Sequence, residues 1–197
     1  MDLIIYVRTD SLLIRDMKTE DAQTITEEEI AQGWHQSIDK YLTRLEHQKQ
    51  GLCISLVAEY KGCAAGYINV YKKSIEGPFG NRDIPEIVDF GVLEKYRCKG
   101  IGTALMDQAE LIAGQYADSV CLGVGLHSGY GSAQRMYAKR GYIPDGSGVW
   151  YGNSVCPPYE QCSNDDDLVL YMSKVLRQQN GENGEKRDTQ KRIPSGD

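Results

Sequence analysis

Apolar positions fall into short runs of two periods along this chain. Leu3 to Val7 and Leu12 to Met17 flank the polar Arg8-Thr9-Asp10-Ser11, which predicts a hairpin or one extended first strand. Thr19 is placed to cap a helix carrying Ala22, Ile25 and Ile30. Ser37 opens a second helix with Ile38, Tyr41, Leu42 and Leu45 on one face and Gly51 at its end. Cys53 to Tyr60 is strongly β-favouring, Lys61-Gly62 is a turn, and Ala64 to Tyr71 returns as the second strand of an antiparallel hairpin. Ser74 to Asp83 is a loop with Gly77-Pro78, and Pro85 precedes a strand over Glu86 to Leu93. A helix follows over Gly100 to Tyr116, then a strand over Ser119 to Leu126 and a helix over Ser132 to Arg140, ended by Gly141. The next strand starts at Tyr142-Ile143, breaks at Pro144-Asp145-Gly146 and resumes over Val149 to Tyr151. Asn153 to Asp166 is a loop, and Leu168 to Leu176 is the last strand. Residues 178–197 have almost no apolar side chains, so the pattern predicts one domain over 1–176 and a polar, disordered tail over 177–197.

Composition narrows the class without naming it. At 197 residues, 41% hydrophobic and 25% charged, the chain suits one domain with a sizeable core. Its net charge of −6 argues against nucleic acid as a partner and favours a cationic substrate. No apolar run approaches the length of a membrane span, and Asp2 before the short Leu3 to Val7 run does not make a secretory leader. The six cysteines, at 53, 63, 98, 121, 156 and 162, form no Cys-x-x-Cys pair. That usage predicts a reduced, cytoplasmic protein without a zinc site, with Cys156 and Cys162 as free thiols able to bridge only under oxidation.

Candidate chemistry centres on Arg97-Cys98-Lys99-Gly100-Ile101-Gly102-Thr103, between a predicted strand and a predicted helix. The first turn of a helix leaves backbone N–H groups without partners, and its dipole adds partial positive charge. Glycines there remove the Cβ atoms that would keep an anion from the backbone, and Arg97 and Lys99 add formal charge. The stretch is therefore a candidate phosphate or pyrophosphate site. The dinucleotide fingerprint needs a third glycine where Leu105 stands, and a Walker loop needs Gly-Lys-Ser/Thr where Gly102-Thr103-Ala104 stands. What remains is Arg-x-x-Gly-x-Gly after a strand.

That pattern resembles the pyrophosphate loop of the GNAT N-acetyltransferases. A second stretch, Ser132-Ala133-Gln134-Arg135-Met136-Tyr137-Ala138-Lys139-Arg140-Gly141-Tyr142, is similar to that family's Asn-x-x-Ala-x-x-Leu-Tyr-x-x-x-Gly-Phe/Tyr motif. Ala133, Tyr137, Gly141 and Tyr142 match, Met136 replaces Leu, and Tyr130 stands at the Asn position. The resemblance runs from about Leu12 to Leu176. It implies an α/β (mixed α+β) GNAT fold: a central mixed, mostly antiparallel sheet of six to seven strands, with about four flanking helices and strands four and five splayed. It implies acetyl-CoA as co-substrate and no metal. Homodimers are frequent in the family.

The resemblance also implies roles. Backbone N–H groups from Arg97 through Cys98, Lys99, Gly100, Ile101 and Gly102 to Thr103 would take the pyrophosphate. Backbone groups of Phe90 and Val92 would pair with the pantetheine amides as an added strand does; Tyr130 and Ala133 lie on the same coenzyme side. Tyr137 would protonate or hold the leaving thiolate, which needs a nearby donor. The family's histone-acetylating branch places a strand Glu-Ile-Val before the loop, and here Glu86-Ile87-Val88 stands at that distance. Glu86 is the candidate base, and apolar neighbours would raise its pKa usefully. Strict alternation puts Glu86, Val88, Phe90 and Val92 on one face and Ile87 and Asp89 on the other. Asp89 becomes an alternative base only if a bulge intervenes, and His127 at the end of the fifth strand or a water are others. Glycine is frequent in the family where Cys98 stands; Cys98 could face solvent at negative φ, as a thiol open to alkylation. Trp34, Tyr159 and the loop from Tyr151 to Asp167 would border the acceptor. The reading is an acyltransferase moving acetyl to a primary amine of a small molecule, such as an aminoglycoside-like compound or a polyamine. A protein or peptide acceptor and a silent acyl-CoA sensor are the alternatives.

Overall fold

A computed structural model describes residues 3–80 and 82–176; the tail expected over 177–197 lies outside them. Nine strands form one sheet: β1 (Ile5–Arg8), β2 (Leu12–Asp16), β3 (Cys53–Tyr60), β4 (Cys63–Tyr71), β5 (Glu86–Val92), β6 (Ser119–Gly125), β7 (Ile143–Tyr151), β8 (Ser154–Val155) and β9 (Leu168–Val175). Their order is β1-β2-β3-β4-β5-β6-β9-β7-β8. Every pairing is antiparallel except β5 with β6. Four α-helices flank the sheet: α1 (Thr19–Ala31), α2 (Ile38–Lys49), α3 (Ile101–Ala113) and α4 (Gly131–Lys139). The sheet exceeds the expected six to seven strands because the first two apolar runs pair as a hairpin and β8 forms inside the stretch read as a loop. Among the described residues, no helix is long and apolar enough to cross a membrane.

Local chemistry explains the element ends. Lys18, not Thr19, precedes α1, in extended conformation. The Asp21 carboxylate accepts from the Lys18 N–H at 2.7 Å and also binds Arg15, so one side chain closes the helix start and ties it to β2. At α2 the Ser37 hydroxyl accepts from the Asp39 N–H at 3.2 Å, as its position predicted. Lys61 and Gly62, at φ 52° and 82°, make the left-handed pair that a tight hairpin turn requires.

The two faces of the sheet bury different elements. On one, Leu105, Met106, Ala109 and Ile112 of α3 pack against Leu56, Ile68, Val70, Ile87 and Leu122. On the other, Ala22 and Ile25 of α1 and Tyr41 and Leu45 of α2 pack against Met17, Val57 and Tyr67. Truncating a core side chain such as Leu105 to Ala costs about 2–5 kcal/mol.

Two strands depart from the expected pattern. In β5, Val88 lies opposite Asn69 and Gly91 opposite Tyr67, so Asp89 and Phe90 together face the single residue Ile68. Asp89 takes φ 51°, and the strand bulges there. Strict alternation is thereby corrected. Glu86 opposite Tyr71, Val88 opposite Asn69, and Asp89 lie on the α2 face, while Ile87, Phe90 and Val92 lie on the α3 face. The second departure is β7, which does not end at Pro144-Asp145-Gly146. Pro144 lies opposite Met172 and Val149 opposite Leu170, and a bulge with Gly146 and Gly148 at φ 88° and 93° absorbs the residues between.

Candidate active site

The chain leaves β5 through a 3-10 turn, Glu94–Tyr96, and enters α3 at Gly100, whose φ of 78° only glycine adopts freely. The first intrahelical bond runs from the Ala104 N–H to the Gly100 carbonyl at 3.0 Å, so the N–H groups of Ile101, Gly102 and Thr103 precede any helical partner. A Cβ on Gly102 would sit 3.2 Å from Phe90 Cζ and 3.3 Å from Met136 Cε. Its absence lets the first turn of α3 lie close to both β5 and α4. Cys98 is exposed, but at φ 59°, not the negative φ expected; it holds a backbone conformation that suits the family's glycine. Lys99 is exposed, and the Arg97 guanidinium lies 5.6 Å from the Trp34 ring centroid. Trp34 therefore borders the glycine loop. Beside Thr103 a cavity of about 630 Å³ is lined by Ser132, Arg135, Met136, Lys139 and Arg140. Arg135 and Lys139 were absent from the sequence-based candidates, although two cations one helical turn apart beside a glycine loop carry a legible signal.

Next to this loop the sheet opens. β5 and β6 pair only at Glu86 with Cys121 and Ile87 with Leu122, whereas β6 stays paired with β9 to Gly125. The Leu93 N–H donates to the Ala65 carbonyl of β4 at 2.9 Å. By alternation, Phe90 and Val92 turn their backbone groups away from β4 and into the gap. Tyr137 of α4 is buried, with its ring centroid 6.4 Å from that of Phe90 and 5.7 Å from that of Tyr142. Burial pushes the Tyr137 hydroxyl well above the ordinary phenol range, and the adjacent Tyr130 adds to this, so it keeps its proton. An unpaired strand edge leading to free helix-start amides and cations fits an extended ligand that carries amides and ends in a diphosphate.

The opposite face of β5 carries ionisable side chains. Burial pushes the Glu86 carboxyl up to about 7; a Ser74 hydrogen bond and the Arg44 charge pull it down, while Glu76 and Asp89 push it further up. Arg44 Nε donates to Asp89 at 2.6 Å and Nη1 to the Tyr71 hydroxyl at 2.7 Å, and His47 Nδ1 lies 2.6 Å from that hydroxyl. Asp89, the alternative base, is thus engaged by Arg44. The fully buried Glu29 accepts from the hydroxyls of Tyr41 and Tyr67. His127 Nδ1 accepts from the Gly129 N–H at 3.1 Å, so Nε2 carries the proton and donates to Asp166 at 2.9 Å. Both ring nitrogens of His127 are thus engaged. The Tyr130 hydroxyl also donates to Asp166, at 2.8 Å, and with His127 holds that carboxyl below its usual range. Ala133 lies in the first turn of α4 and packs on the core. Tyr159 turns into solvent and does not join these groups. In the same loop the thiols of Cys156 and Cys162 are 3.3 Å apart.

A sheet opened between two parallel strands, with a glycine-rich helix start at the opening, defines a class of acyl-group transferases, and sequence comparison agrees. The model of the acetyltransferase (GNAT) family matches residues 16–142, and the chain belongs to that family. Solved structures share the fold at low identity. Ard1 from Thermoplasma volcanium has 20% identity and a TM-score of 0.61, over 85% of this chain and 99% of its own. The yncA protein from Salmonella typhimurium, solved with its cofactor acetyl-CoA, has 17% identity and a TM-score of 0.61, over 87% and 97%. Arabidopsis thaliana Naa50, in complex with the bisubstrate analogue CoA-Ac-MVNAL, has 17% identity and a TM-score of 0.58, over 84% and 99%. Curated proteins yield no match.

Proposed function

We propose that this protein is an acetyl-CoA-dependent N-acetyltransferase that moves the acetyl group to a primary amine of a small molecule by direct attack. The observation that carries the reading is the gap beside β5, which has a donor-rich glycine loop at one end and different chemistry on each side. Bound acetyl-CoA supplies an acyl group activated as a thioester. The backbone edge at Phe90 and Val92 would hold the extended arm, and the amides of Ile101 to Thr103 with Arg97 and Lys99 would hold the diphosphate. Arg135 and Lys139, lining the adjacent cavity, add charge for the rest of the nucleotide. On the α2 face, Glu86 takes a proton from the acceptor ammonium, and its carboxyl near 7 suits that work at neutral pH. On the α3 face, Tyr137 retains its proton and offers it to the departing sulfur.

The acidic net charge supports a small cationic acceptor. A peptide N terminus is the competing acceptor, because the Naa50 structure holds a bisubstrate analogue joining CoA to MVNAL. Thermal shift with coenzyme A, acetyl-CoA, ATP and NAD tests the loop first. A ligand at 100 times its Kd stabilises by about 2.7 kcal/mol. A shift with the two coenzyme A species supports the reading, and its absence in a folded sample overturns it. Thiol release with a panel of small amines and one peptide N terminus then separates the acceptors. Tyr137→Phe is expected to lose turnover while keeping coenzyme affinity; a sensor would have no turnover to lose.

A further inference from the structure

Lys40, in the first turns of α2, is a half-buried ammonium whose surroundings are all committed elsewhere. Among the described residues, no carboxylate lies within ion-pairing distance of it. Its Nζ rests 4.6 Å from the Tyr41 ring centroid and 5.4 Å from that of Tyr67, with only a long 3.4 Å contact to the Tyr67 hydroxyl. The charged groups whose fields reach it are Glu29, Asp89, Arg44 and Asp166. Glu29 is held by Tyr41 and Tyr67, Asp89 by Arg44, and Asp166 by His127 and Tyr130. The fields of these acids reach Lys40, but none of them makes a direct ion pair with it, so a carboxylate placed within hydrogen-bond reach of Nζ would be its first. Burial weakens its hold on its proton, and the acids around it offset this only in part.

Position gives the rest. Lys40 is one helical turn before Arg44, and the Arg44–Asp89 pair acts on both Lys40 and Glu86. The α2 face therefore carries an ammonium without a direct ion pair, the Arg44–Asp89 pair and the raised carboxyl of Glu86. We propose that Lys40 receives a carboxylate of the acceptor, so that the acceptor is a small molecule bearing both a carboxylate and the primary amine presented to Glu86. The assignment rests on the acetyl-transfer reading above. A phosphate fits less well, because one ammonium and one hydroxyl are few donors for its oxygens.

The test compares amines that differ only by a carboxylate. Thiol release from acetyl-CoA is measured with L-phenylalanine against phenethylamine and L-ornithine against putrescine, for the wild type, Lys40→Met and Lys40→Arg. In at least one pair the wild type is expected to favour the carboxylated member in kcat/KM by about 10- to 100-fold, the range of a charge-assisted contact. Lys40→Met is expected to collapse that ratio toward one through KM, and Lys40→Arg to restore most of it. A wild type that favours the decarboxylated members, or a ratio unmoved in Lys40→Met, overturns the proposal. N-acetyl-L-phenylalanine and N-acetyl-L-ornithine are also titrated calorimetrically into protein saturated with coenzyme A. Should no amine release thiol, the acetyl-transfer reading fails, and this titration alone decides Lys40. Binding to the wild type that is lost in Lys40→Met and kept in Lys40→Arg upholds the carboxylate site, and equal or absent binding rejects it. Should Lys40→Met not fold, Lys40→Gln takes its place in both measurements.

Discussion

The two faces of β5 are built from different materials. On the α3 side, the contacts are backbone amides, glycines and apolar side chains: Gly100, Gly102, Phe90, Val92 and Ile101. On the α2 side they are ionisable groups linked through shared hydrogen bonds: Glu86, Asp89, Arg44, Tyr71 and His47. Backbone geometry recognises a shape that does not vary, which suits a common coenzyme. Side-chain networks can be exchanged residue by residue, which suits an individual acceptor. The bulge at Asp89 lets one strand serve both, because it sends Glu86 to one face and Phe90 to the other.

The sharpest way to break this division is Glu86→Gln. Turnover is expected to fall by about 10²- to 10⁴-fold, with coenzyme A affinity by calorimetry unchanged. Wild-type kcat/KM is expected to rise as pH passes upward through about 7, where Glu86 loses its proton, and the residual rate of the variant to lack that limb. Stability moves the other way. The folded protein holds this proton to about 7, against the ordinary 4.5, so its stability falls as pH rises between those values. Glu86→Gln is therefore expected to melt higher than the wild type at pH 8, with the gap closing toward pH 4. The opposite face is attacked by Gly102→Val, whose side chain would press on Phe90 and Met136. Its Kd for coenzyme A is expected to rise by about tenfold, or 1.4 kcal/mol, with kcat at saturation affected less.

Arg44→Met probes the link between the faces. It leaves Asp89 without its partner at a left-handed position, at a cost of about 1–3 kcal/mol in denaturant unfolding. It also removes a charge that holds the Glu86 pKa down, so the rising limb of the pH profile is expected to move to higher pH. The smallest effect belongs to Cys98→Gly. Relief of the left-handed strain, less the added freedom of the unfolded chain, is expected to raise Tm by at most about 2–4 °C, whereas Cys98→Ala gains nothing.

The glycine loop and its flanking elements were legible because they rest on residue types with few substitutes: two glycines at fixed spacing, cations beside them, an apolar strand before and a helical pattern after. The face of each β5 residue was not. A bulge centred on Asp89-Phe90 has no marker of its own, and period-two counting assigns the wrong side to everything beyond it. Pro144-Asp145-Gly146 misled in the other direction. Turn residues usually end a strand, but here Gly146 and Gly148 let the bulge bend and the pairing with β9 resume. Arg44 was invisible as a candidate because only the packing of α2 against β4 and β5 brings it to Asp89 and Tyr71.

One feature of the sheet reaches beyond catalysis. Between β5 and β6 only two rungs join five strands on one side to four on the other, with α3 packed beneath both. A ligand pairing along β5 beyond those rungs would serve as a removable seam between the halves of the molecule. Amide hydrogen exchange at Phe90 and Val92 should then be slow only while the coenzyme is present. Coenzyme supply would set how far the protein behaves as one mechanical body or as two panels sharing a spine.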